Sequence, residues 1–487
     1  MPSLRRYCTL VLLLPLLLFA EQKEVTILQT ADTHAEMTQW LRLATLIRRE
    51  YRPKQTLLVD CGDVVQGSLM ATITQGEAAM RPLQVLPYDV WVPGNHELDY
   101  GYSAYVGFCN AIGDKLLCAN FQLPGQSRPP AWRLFEVNGV RLAVIGMQAS
   151  FFRNWLVGKT ASQFRCEKAR EAVARLLPDI CAQKPDAIVL AIHQGWTESP
   201  DKRGVNEVHE IAAEFPEIDL ILGAHTHRLF PGQKVGLKSW YVQPGAHAQY
   251  LTVVKLTVDT TAHLVVDIQS SLKAVTPDLP EDAELVKELA PFVQQLREFN
   301  EKPLGIVLEK EITANGRPGV SCQTSDLIAQ AIAEAVGADA AFHSRLTEST
   351  LPAGEIRQQH LFELIPYENK IVGAMFTAEQ IEQLMEEQWA LRNNPYRYSG
   401  PWNMLFRNNG GKMTLVSING EPPVQGRRYR VAFNSHTAAG SGNLPVLKQL
   451  IEAPDAQLSV TRINTRRATE LFLRNHQDAI QFKQWIY

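Results

Sequence analysis

Histidine and acidic residues recur in five short motifs, and each motif directly follows a stretch of sequence that is predicted to be a buried strand. A lone Asp-x-His is usually a turn, and a lone histidine after a strand is usually a hydrogen-bonded core residue. Five such motifs in one chain instead favour a shared metal site, and they contain five of the 12 histidines. The motifs are Asp32-Thr33-His34, Gly62-Asp63, Gly94-Asn95-His96-Glu97, His193 and Gly223-Ala224-His225-Thr226-His227.

These residue types suit the hydrolysis of a phosphate ester. The ester is anionic and repels hydroxide, so an enzyme must supply positive charge and a nucleophile together. Two metal ions about 4 Å apart do both, because they activate a bridging water and hold the attacking and leaving oxygens. Imidazole and carboxylate ligands favour Zn²⁺, Mn²⁺ or Fe, whereas a dedicated Mg²⁺ site uses fewer histidines. We therefore expect two divalent metal ions, Zn²⁺, Mn²⁺ or similar, as cofactors.

The metal ligands divide into two groups. Asp63 stands alone in its loop and is the best candidate to bridge the two ions. His225 and His227 alternate on an extended segment, so their side chains should point to opposite sides and serve different ions. The predicted ligands of one ion are Asp32, His34 and His227, and those of the other are Asn95, His193 and His225.

The elements that must position these motifs alternate between strands and helices. Apolar runs predict strands, and Trp40, Leu43, Ala44 and Ile47 share one face of a helix between the first two of them. Such alternation predicts an α/β layered domain, in which ligands collect at the carboxyl ends of the strands. The predicted strands are residues 25–30, 56–60, 90–92, 142–146, 187–192 and 218–222.

Longer strings around these motifs resemble a known family. Gly62-Asp-Val-Val-Gln-Gly-Ser68 and Gly94-Asn-His-Glu-Leu-Asp-Tyr-Gly101 resemble the calcineurin-like metallophosphoesterases, and in particular their exported 5′-nucleotidase branch. The resemblance implies a four-layer metallophosphoesterase β-sandwich flanked by helices and a C-terminal α/β nucleotidase domain. It also implies that His96 and Asp99 form a catalytic pair, in which Asp99 orients the ring of His96.

In the family, the second domain binds the nucleoside between two aromatic rings and grips phosphate with arginines. By resemblance, Tyr367 in Ile365-Pro-Tyr-Glu-Asn369 is one stacking ring, and His436 in the glycine-rich segment 434–442 takes the place of the other. Arg317 and Arg345 are the candidate phosphate-binding residues. The glycines expected before Arg345 and the acidic residue of the glycine-rich loop are missing, so the specificity apparatus is predicted to be altered while the hydrolytic residues are complete.

The chain is predicted to have an exported leader and two domains. Arg5 and Arg6 precede an apolar run over residues 10–20, which is typical of a secretory signal and too short to span a membrane. We expect a signal peptide at 1–20, the metallophosphoesterase domain at 24–272, a helical linker at 276–302 and the substrate-binding domain at 303–487. The mature protein is then periplasmic or extracellular and has no membrane span.

The charge of the chain limits its partners. With 48 basic and 51 acidic residues the net charge is −3, which gives no basic surface for long nucleic acid. The predicted partner is a small nucleotide, and the sequence leaves the oligomeric state open. The leading interpretation is a 5′-nucleotidase-like hydrolase. Its alternatives are a 2′,3′-cyclic-nucleotide 2′-phosphodiesterase/3′-nucleotidase, a sulfur-ester hydrolase, and a non-catalytic exported binding protein with the same fold.

Overall fold

A computed structural model describes residues 21–122, 125, 127–151, 165–367, 369–476, 480 and 482–487. The predicted signal peptide at 1–20 lies outside these residues. Among the described helices, none is long and apolar enough to cross a membrane.

The first part of the chain alternates strands and helices as the sequence predicts. Its strands are β1 Gln22–Thr30, β2 Thr56–Asp60, β3 Val90–Trp91, β4 Phe121–Gln122, β5 Trp132–Val137, β6 Val140–Met147, β7 Arg165–Cys166, β8 Ala187–Ile192, β9 Leu220–Leu222, β10 Leu229–Val235, β11 Ser239–Pro244, β12 Tyr250–Asp259 and β13 Leu264–Ala274. Its helices are α1 Met37–Glu50, α2 Leu69–Ile73, α3 Glu77–Val85, α4 Tyr102–Ile112, α5 Ala169–Ala182 and α6 Val208–Glu214.

Two sheets pack face to face in this part. The first has the strand order β13-β12-β1-β2-β3, and the second has the order β10-β11-β9-β8-β6-β5. Aliphatic side chains of both sheets, such as Val59 and Val189, form a fully buried core between them. Helices α1, α3 and α4 cover the outer face of the first sheet, and α5 and α6 cover that of the second. The result is the expected four-layer sandwich of two sheets between helices.

Helix α7, Ala283–Glu301, lies between the two parts of the chain. The side chain of Asp282 caps it by accepting from the backbone N–H of Leu285, and this carboxylate also pairs with Arg48 at 2.7 Å. Leu285 and Leu289 are buried in the helix-covered core of the first sheet. The helix also contacts the second part of the chain.

The second part is built around a sheet with the strand order β18 Gly400–Trp402, β15 Ala340–His343, β21 Arg428–Asn434, β17 Lys370–Thr377 and β22 Ser459–Asn464. Helix α8, Gln323–Val336, is capped by Gly337, whose left-handed φ of 59° suits a glycine, and Thr377 and Gln380 form a capping box at helix α10, Ala378–Ala390. The strands are β14 Pro303–Leu308, β15 Ala340–His343, β16 Gly354–Arg357, β17 Lys370–Thr377, β18 Gly400–Trp402, β19 Met404–Asn409, β20 Lys412–Ile418, β21 Arg428–Asn434 and β22 Ser459–Asn464. The helices are α8 Gln323–Val336, α9 Gln358–Leu364, α10 Ala378–Ala390, α11 Ser435–Ala438, α12 Pro445–Glu452 and α13 Thr465–Asn475.

Candidate metal centre

The five predicted motifs converge where the loops after the two sheets' parallel strands meet. Strands β1, β2 and β3 run parallel, so the loops that follow them leave the same edge of the first sheet. Backbone hydrogen bonds join these loops: Asp32 donates to Gly62, and His34 donates to Asp63, at 2.8 and 3.0 Å. Loops of the second sheet complete the site, since the backbone N–H of His225 donates to the Asp32 carboxylate at 2.9 Å.

The backbone at this site is held in an uncommon conformation. Five of the seven predicted ligands have left-handed φ angles between 48° and 72°, a region that residues other than glycine rarely adopt. Such strain persists where surrounding contacts fix it, and it concentrates at functional sites. The hydrogen bonds between the loops supply that restraint here. The five residues are Asp32, His34, Asp63, His225 and His227.

The predicted ligands form two groups of potential metal donors. In each group, one donor atom from every residue lies within 4.8 Å of the others. The first group has the residues predicted for one ion, and the second contains His193 and His225 of the other predicted set together with Asp63. The bridging role of Asp63 stays a prediction. The groups are Asp32, His34 and His227, and Asp63, His193 and His225.

Burial keeps three of these histidines neutral. Desolvation is the largest influence on all three, and it lowers the pKa of His34 and of His225 to about 3 and lowers that of His227 as well. A neutral imidazole has a free lone pair and is the form that binds metal. The Nε2 atoms of His34 and His227 lie 2.9 Å apart, so these lone pairs face a common point.

Asp63 and His193 form a buried pair that already behaves as an anion and a cation. Desolvation opposes the charge on Asp63, but the nearby His193 and His96 outweigh it and hold the pKa of Asp63 well below its usual value. Desolvation likewise opposes the charge on His193. The Asp63 carboxylate outweighs it, because its Oδ2 lies 3.0 Å from Nε2 of His193, and the pKa of His193 is raised to about 9. A metal cation bound here would replace this proton.

The donor atoms fit a divalent metal. The side-chain oxygen of Asn95 is buried and accepts no hydrogen bond from any described residue. A buried acceptor without a donor is uncommon in native proteins, and a bound ion would satisfy it. Together with imidazole and carboxylate groups, it makes a mixed nitrogen and oxygen set that suits Zn²⁺, Mn²⁺ or Fe.

The predicted catalytic pair lies at the exposed rim of this site. His96 Nδ1 is 2.7 Å from the Asp99 carboxylate, and the His96 side chain is 35% exposed. Its backbone N–H donates to Asp63 at 2.8 Å, which ties the pair to the metal loops. Desolvation lowers the pKa of His96, but Asp99 and then Asp63 outweigh it and raise the pKa to about 10. The ring is therefore able to donate a proton from Nε2 to a bound substrate.

Glu97, to which the sequence motifs assign no role, holds two metal loops together. This carboxylate is fully buried and accepts from the backbone N–H groups of Asp63, Val64 and Gly94 at 3.0, 2.7 and 2.6 Å. Buried charge is costly unless it is hydrogen-bonded, and three backbone donors satisfy it here. Its position next to His96 in the motif was the available signal, but only the fold shows which backbone groups it meets.

Replacing Glu97 by alanine should weaken both the fold and the metal site. The change leaves three buried N–H groups without an acceptor, so we expect a loss of about 3 kcal/mol in the free energy of unfolding, measured by urea denaturation of the metal-free protein. We also expect weaker Mn²⁺ binding. Glu207 provides a matched control, because it is buried and accepts from the backbone N–H groups of Ala169 and Arg170 at the start of helix α5. E207A should lose stability but keep its Mn²⁺ affinity; equal Mn²⁺ affinity of E97A would contradict the positioning role.

His247 is a second residue near the site that is not predicted from the sequence. Its ring centre lies 5.4 Å from that of His34 and 5.8 Å from that of His227. It follows strand β11 within a short loop, but it belongs to none of the five motifs, and a single histidine in a loop carries no specific signal.

The predicted substrate residues of the second part lie at one end of its sheet. Strands β17 and β21 are antiparallel, so the segment before β17, with Tyr367, meets the segment after β21, with His436. The side chains of Asn369 and Ser435 join these segments at 3.4 Å. Arg345 follows β15, which is parallel to β21, and therefore lies at the same end.

Both candidate phosphate-binding arginines rest on aromatic rings. The guanidinium carbon of Arg345 lies 4.9 Å from the ring centre of Tyr396, and its Nη1 donates to Ala314, near Arg317, at 3.2 Å. The guanidinium of Arg317 lies 5.5 Å from the ring centre of Trp389. Such a contact holds a guanidinium in place. The Nη2 atom of Arg345 also lies 3.7 Å from the Glu348 carboxylate, so a bound anion would compete with this ion pair.

Two family models match this chain. Residues 25–229 match the model described as calcineurin-like phosphoesterase, and residues 303–449 match the one described as 5′-nucleotidase, C-terminal domain. The two matches correspond to the two parts of the structure on either side of α7.

The chain is also similar to curated proteins and to solved structures. The protein UshA of Yersinia enterocolitica is 24% identical over 490 residues, which cover 88% of this chain and 87% of UshA. The trifunctional nucleotide phosphoesterase protein YfkN of Bacillus subtilis is 22% identical over 89% of this chain, but the chain spans only 33% of YfkN. The crystal structure of a 5′-nucleotidase precursor from Thermus thermophilus has the same fold, with a TM-score of 0.69, 20% identity, and coverage of 95% of this chain and 99% of that one.

Proposed function

The chain belongs to the calcineurin-like phosphoesterases that carry a 5′-nucleotidase C-terminal domain and is a metal-dependent phosphoester hydrolase, and on this premise we propose that it removes phosphate from 5′-nucleotides outside the cytoplasm. The observation that carries the nucleotide specificity is that the segments holding Tyr367 and His436 meet at one end of the second part's sheet. Desolvation and then the positive charge of His96 lower the pKa of His436, although its side chain is exposed. The predicted nucleoside-binding residue thus lies within electrostatic reach of the predicted catalytic pair. A substrate that fills both places has a phosphate at one end and a base at the other.

The residues of the chain have separate roles in this reaction. Asp32, His34 and His227 would hold one ion, and Asn95, His193 and His225 the other, with Asp63 between them. When bound, the two ions supply positive charge and an activated water. Asp99 accepts from Nδ1 of His96 and so aims Nε2 at the substrate, where His96 stabilises a phosphoryl oxygen or protonates the leaving oxygen. Tyr367 and His436 stack on the base, and Arg317 and Arg345 bind anionic oxygens.

The N-terminal sequence supports export. Arg5 and Arg6 followed by the apolar run at 10–20 are typical of a secretory signal. The first described strand, β1, begins at Gln22, directly after the predicted leader. The mature protein would therefore act in the periplasm or outside the cell. N-terminal sequencing of protein recovered from each cell fraction tests this; full-length protein confined to the cytoplasm would refute it.

A substrate panel tests the proposed reaction. Purified mature protein with Mn²⁺ would be assayed for phosphate release from AMP, UMP, 3′-AMP, 2′,3′-cyclic AMP followed by phosphatase, UDP-glucose and p-nitrophenyl phosphate. The proposal predicts the highest kcat/KM for 5′-nucleotides. Preference for the cyclic and 3′-substrates would favour the 2′,3′-cyclic-nucleotide phosphodiesterase/3′-nucleotidase instead. Turnover of p-nitrophenyl phosphate alone would rule out the nucleotide specificity.

Replacing Tyr367 by alanine tests the base-binding role directly. Its side chain is 44% exposed, as a stacking platform must be. Stacking of a base on an aromatic ring contributes about 1–3 kcal/mol, so we expect KM for AMP to rise about tenfold. KM for p-nitrophenyl phosphate, which has no base, should change less than twofold. Y487A, at another exposed tyrosine, serves as the control. An equal rise for both substrates in Y367A would show a general defect and refute base stacking.

A further inference from the structure

His247 is fixed against the loop that contributes two predicted metal ligands. It lies between β11 and β12, and its backbone N–H donates to the carbonyl oxygen of Asp32 at 2.7 Å. Its φ of 58° is left-handed, as at Asp32 and His34. This backbone conformation is energetically unfavourable for histidine, so it persists only because the surrounding contacts hold it. The backbone of His247 is therefore held by the metal loop, and its side chain starts from a fixed point beside the site.

The imidazole of His247 lies on the open side of the site. Asp32 and His34 are buried, at 0% and 6% exposure, whereas His227 and His247 are exposed. The ring centre of His34 is 5.4 Å from that of His247 and 5.5 Å from that of His96. His96 and His247 are therefore both neighbours of His34 at the rim, where an anionic substrate has to enter.

The ring of His247 is free to bind a ligand. Within the described part of the chain, no side-chain or backbone group makes a hydrogen bond to either of its nitrogens, in contrast to His34 and His193. It also stands outside the group of donor atoms formed by Asp32, His34 and His227. An imidazole offers at least one N–H in either protonation state, whereas the predicted metal-binding nitrogens need their lone pairs for the ions.

We propose that His247 donates a hydrogen bond to a phosphoryl oxygen of the substrate and is a further phosphate-binding residue of this enzyme. The inference rests on the proposed hydrolysis of a phosphate ester, but it does not depend on which alcohol is released from the phosphate. A donor aimed at an oxygen whose charge grows in the transition state accelerates the reaction, and loss of one such donor costs about 10²–10³ in kcat. Because the His247 side chain is exposed, water substitutes for part of its contribution, and we expect a smaller loss of about 10- to 100-fold.

The test compares H247A with H263A. His263 is another histidine with a left-handed φ, 53°, but it lies in the turn before β13, where it pairs with Asp186. For each variant, three quantities would be measured: kcat/KM for p-nitrophenyl phosphate, the inhibition constant of inorganic phosphate, and the dissociation constant of Mn²⁺ by competition with a chelating dye. Thermal unfolding would verify that both variants are folded.

The proposal predicts a distinct pattern for H247A. The value of kcat/KM falls about 10- to 100-fold and the inhibition constant of phosphate rises about tenfold, while Mn²⁺ affinity stays within twofold. H263A keeps all three wild-type values. Unchanged phosphate inhibition in H247A would overturn the proposal, and so would a tenfold loss of Mn²⁺ affinity, which would make His247 a metal ligand. Failure of the proposed nucleotide specificity gives a different result. In that case the wild-type enzyme turns over p-nitrophenyl phosphate, which has no nucleoside, but does not turn over AMP.

Discussion

The variant D63N is expected to lose at least roughly 10³-fold in kcat/KM for nucleotide hydrolysis, the largest effect of any single substitution that keeps side-chain shape. The Asp63 carboxylate contacts residues of two other metal loops. Its Oδ2 lies 3.0 Å from Nε2 of His193, and its Oδ1 accepts from the backbone N–H of His96 at 2.8 Å. Asparagine has the same size but no charge, so it removes the anion that holds a cation in this low-dielectric position.

D89N is the matched control for D63N. Asp89 also accepts from a backbone N–H, that of Leu58 at 2.8 Å, but it precedes β3 and so lies at the opposite edge of the sheet from the metal centre. We expect D89N to keep nearly full activity and D63N to lose metal binding as well as turnover. More than a tenth of wild-type kcat/KM in metal-saturated D63N would contradict the assignment of Asp63.

The second large effect is expected for H96A, with a loss of about 10²–10⁴-fold in kcat for AMP. Asp99 acts only through His96, because its carboxylate accepts from Nδ1 of that ring at 2.7 Å. D99N should therefore cost less than H96A, and the double variant should be no worse than H96A alone. Mn²⁺ affinity should stay close to wild type. If the loss in the double variant equals the product of the two single losses, His96 and Asp99 have independent roles, and the catalytic pair is contradicted.

The leaving group separates the two roles open to His96. p-Nitrophenolate leaves without protonation, whereas the 5′-oxygen of a nucleoside needs a proton. If His96 protonates the leaving oxygen, H96A should lose at least tenfold more activity with AMP than with p-nitrophenyl phosphate. Equal losses would instead assign His96 to the stabilisation of a phosphoryl oxygen, and both outcomes keep it in contact with the substrate.

Local sequence patterns predicted the positions of the metal loops because those patterns reflect burial. The runs at 56–60 and 187–192 are the strands β2 and β8 residue for residue, since both are fully buried and end at polar loops. The strand predicted at 218–222 is Leu220–Leu222 in the structure, and the carboxylate of Asp219, just before it, accepts from the backbone N–H of Ile188. The donor atoms of Asp32, His34 and His227 lie together in space, and so do those of Asp63, His193 and His225, while the role of these residues as metal ligands stays a prediction.

The sequence could not reveal contacts that depend on tertiary backbone geometry. Glu97 satisfies backbone N–H groups of two loops, one of which is more than 30 residues away, and no side-chain pattern encodes those partners. His247 reaches the site because its backbone bonds to Asp32, more than 200 residues earlier. In the second domain, Arg345 contacts Tyr396 across a segment that carries no motif. These contacts come from the way loops meet in space.

Metal titration of the chelator-treated, full-length mature protein tests the central claim most directly. Phosphate release from AMP would be followed while Mn²⁺ is added in increments to a known concentration of protein, with metal content measured at each point. The two-ion site predicts no turnover in the metal-free protein and full turnover when two ions are bound per chain. Turnover that survives removal of the metal, or that is complete with no more than one ion per chain, would contradict a two-metal phosphoesterase.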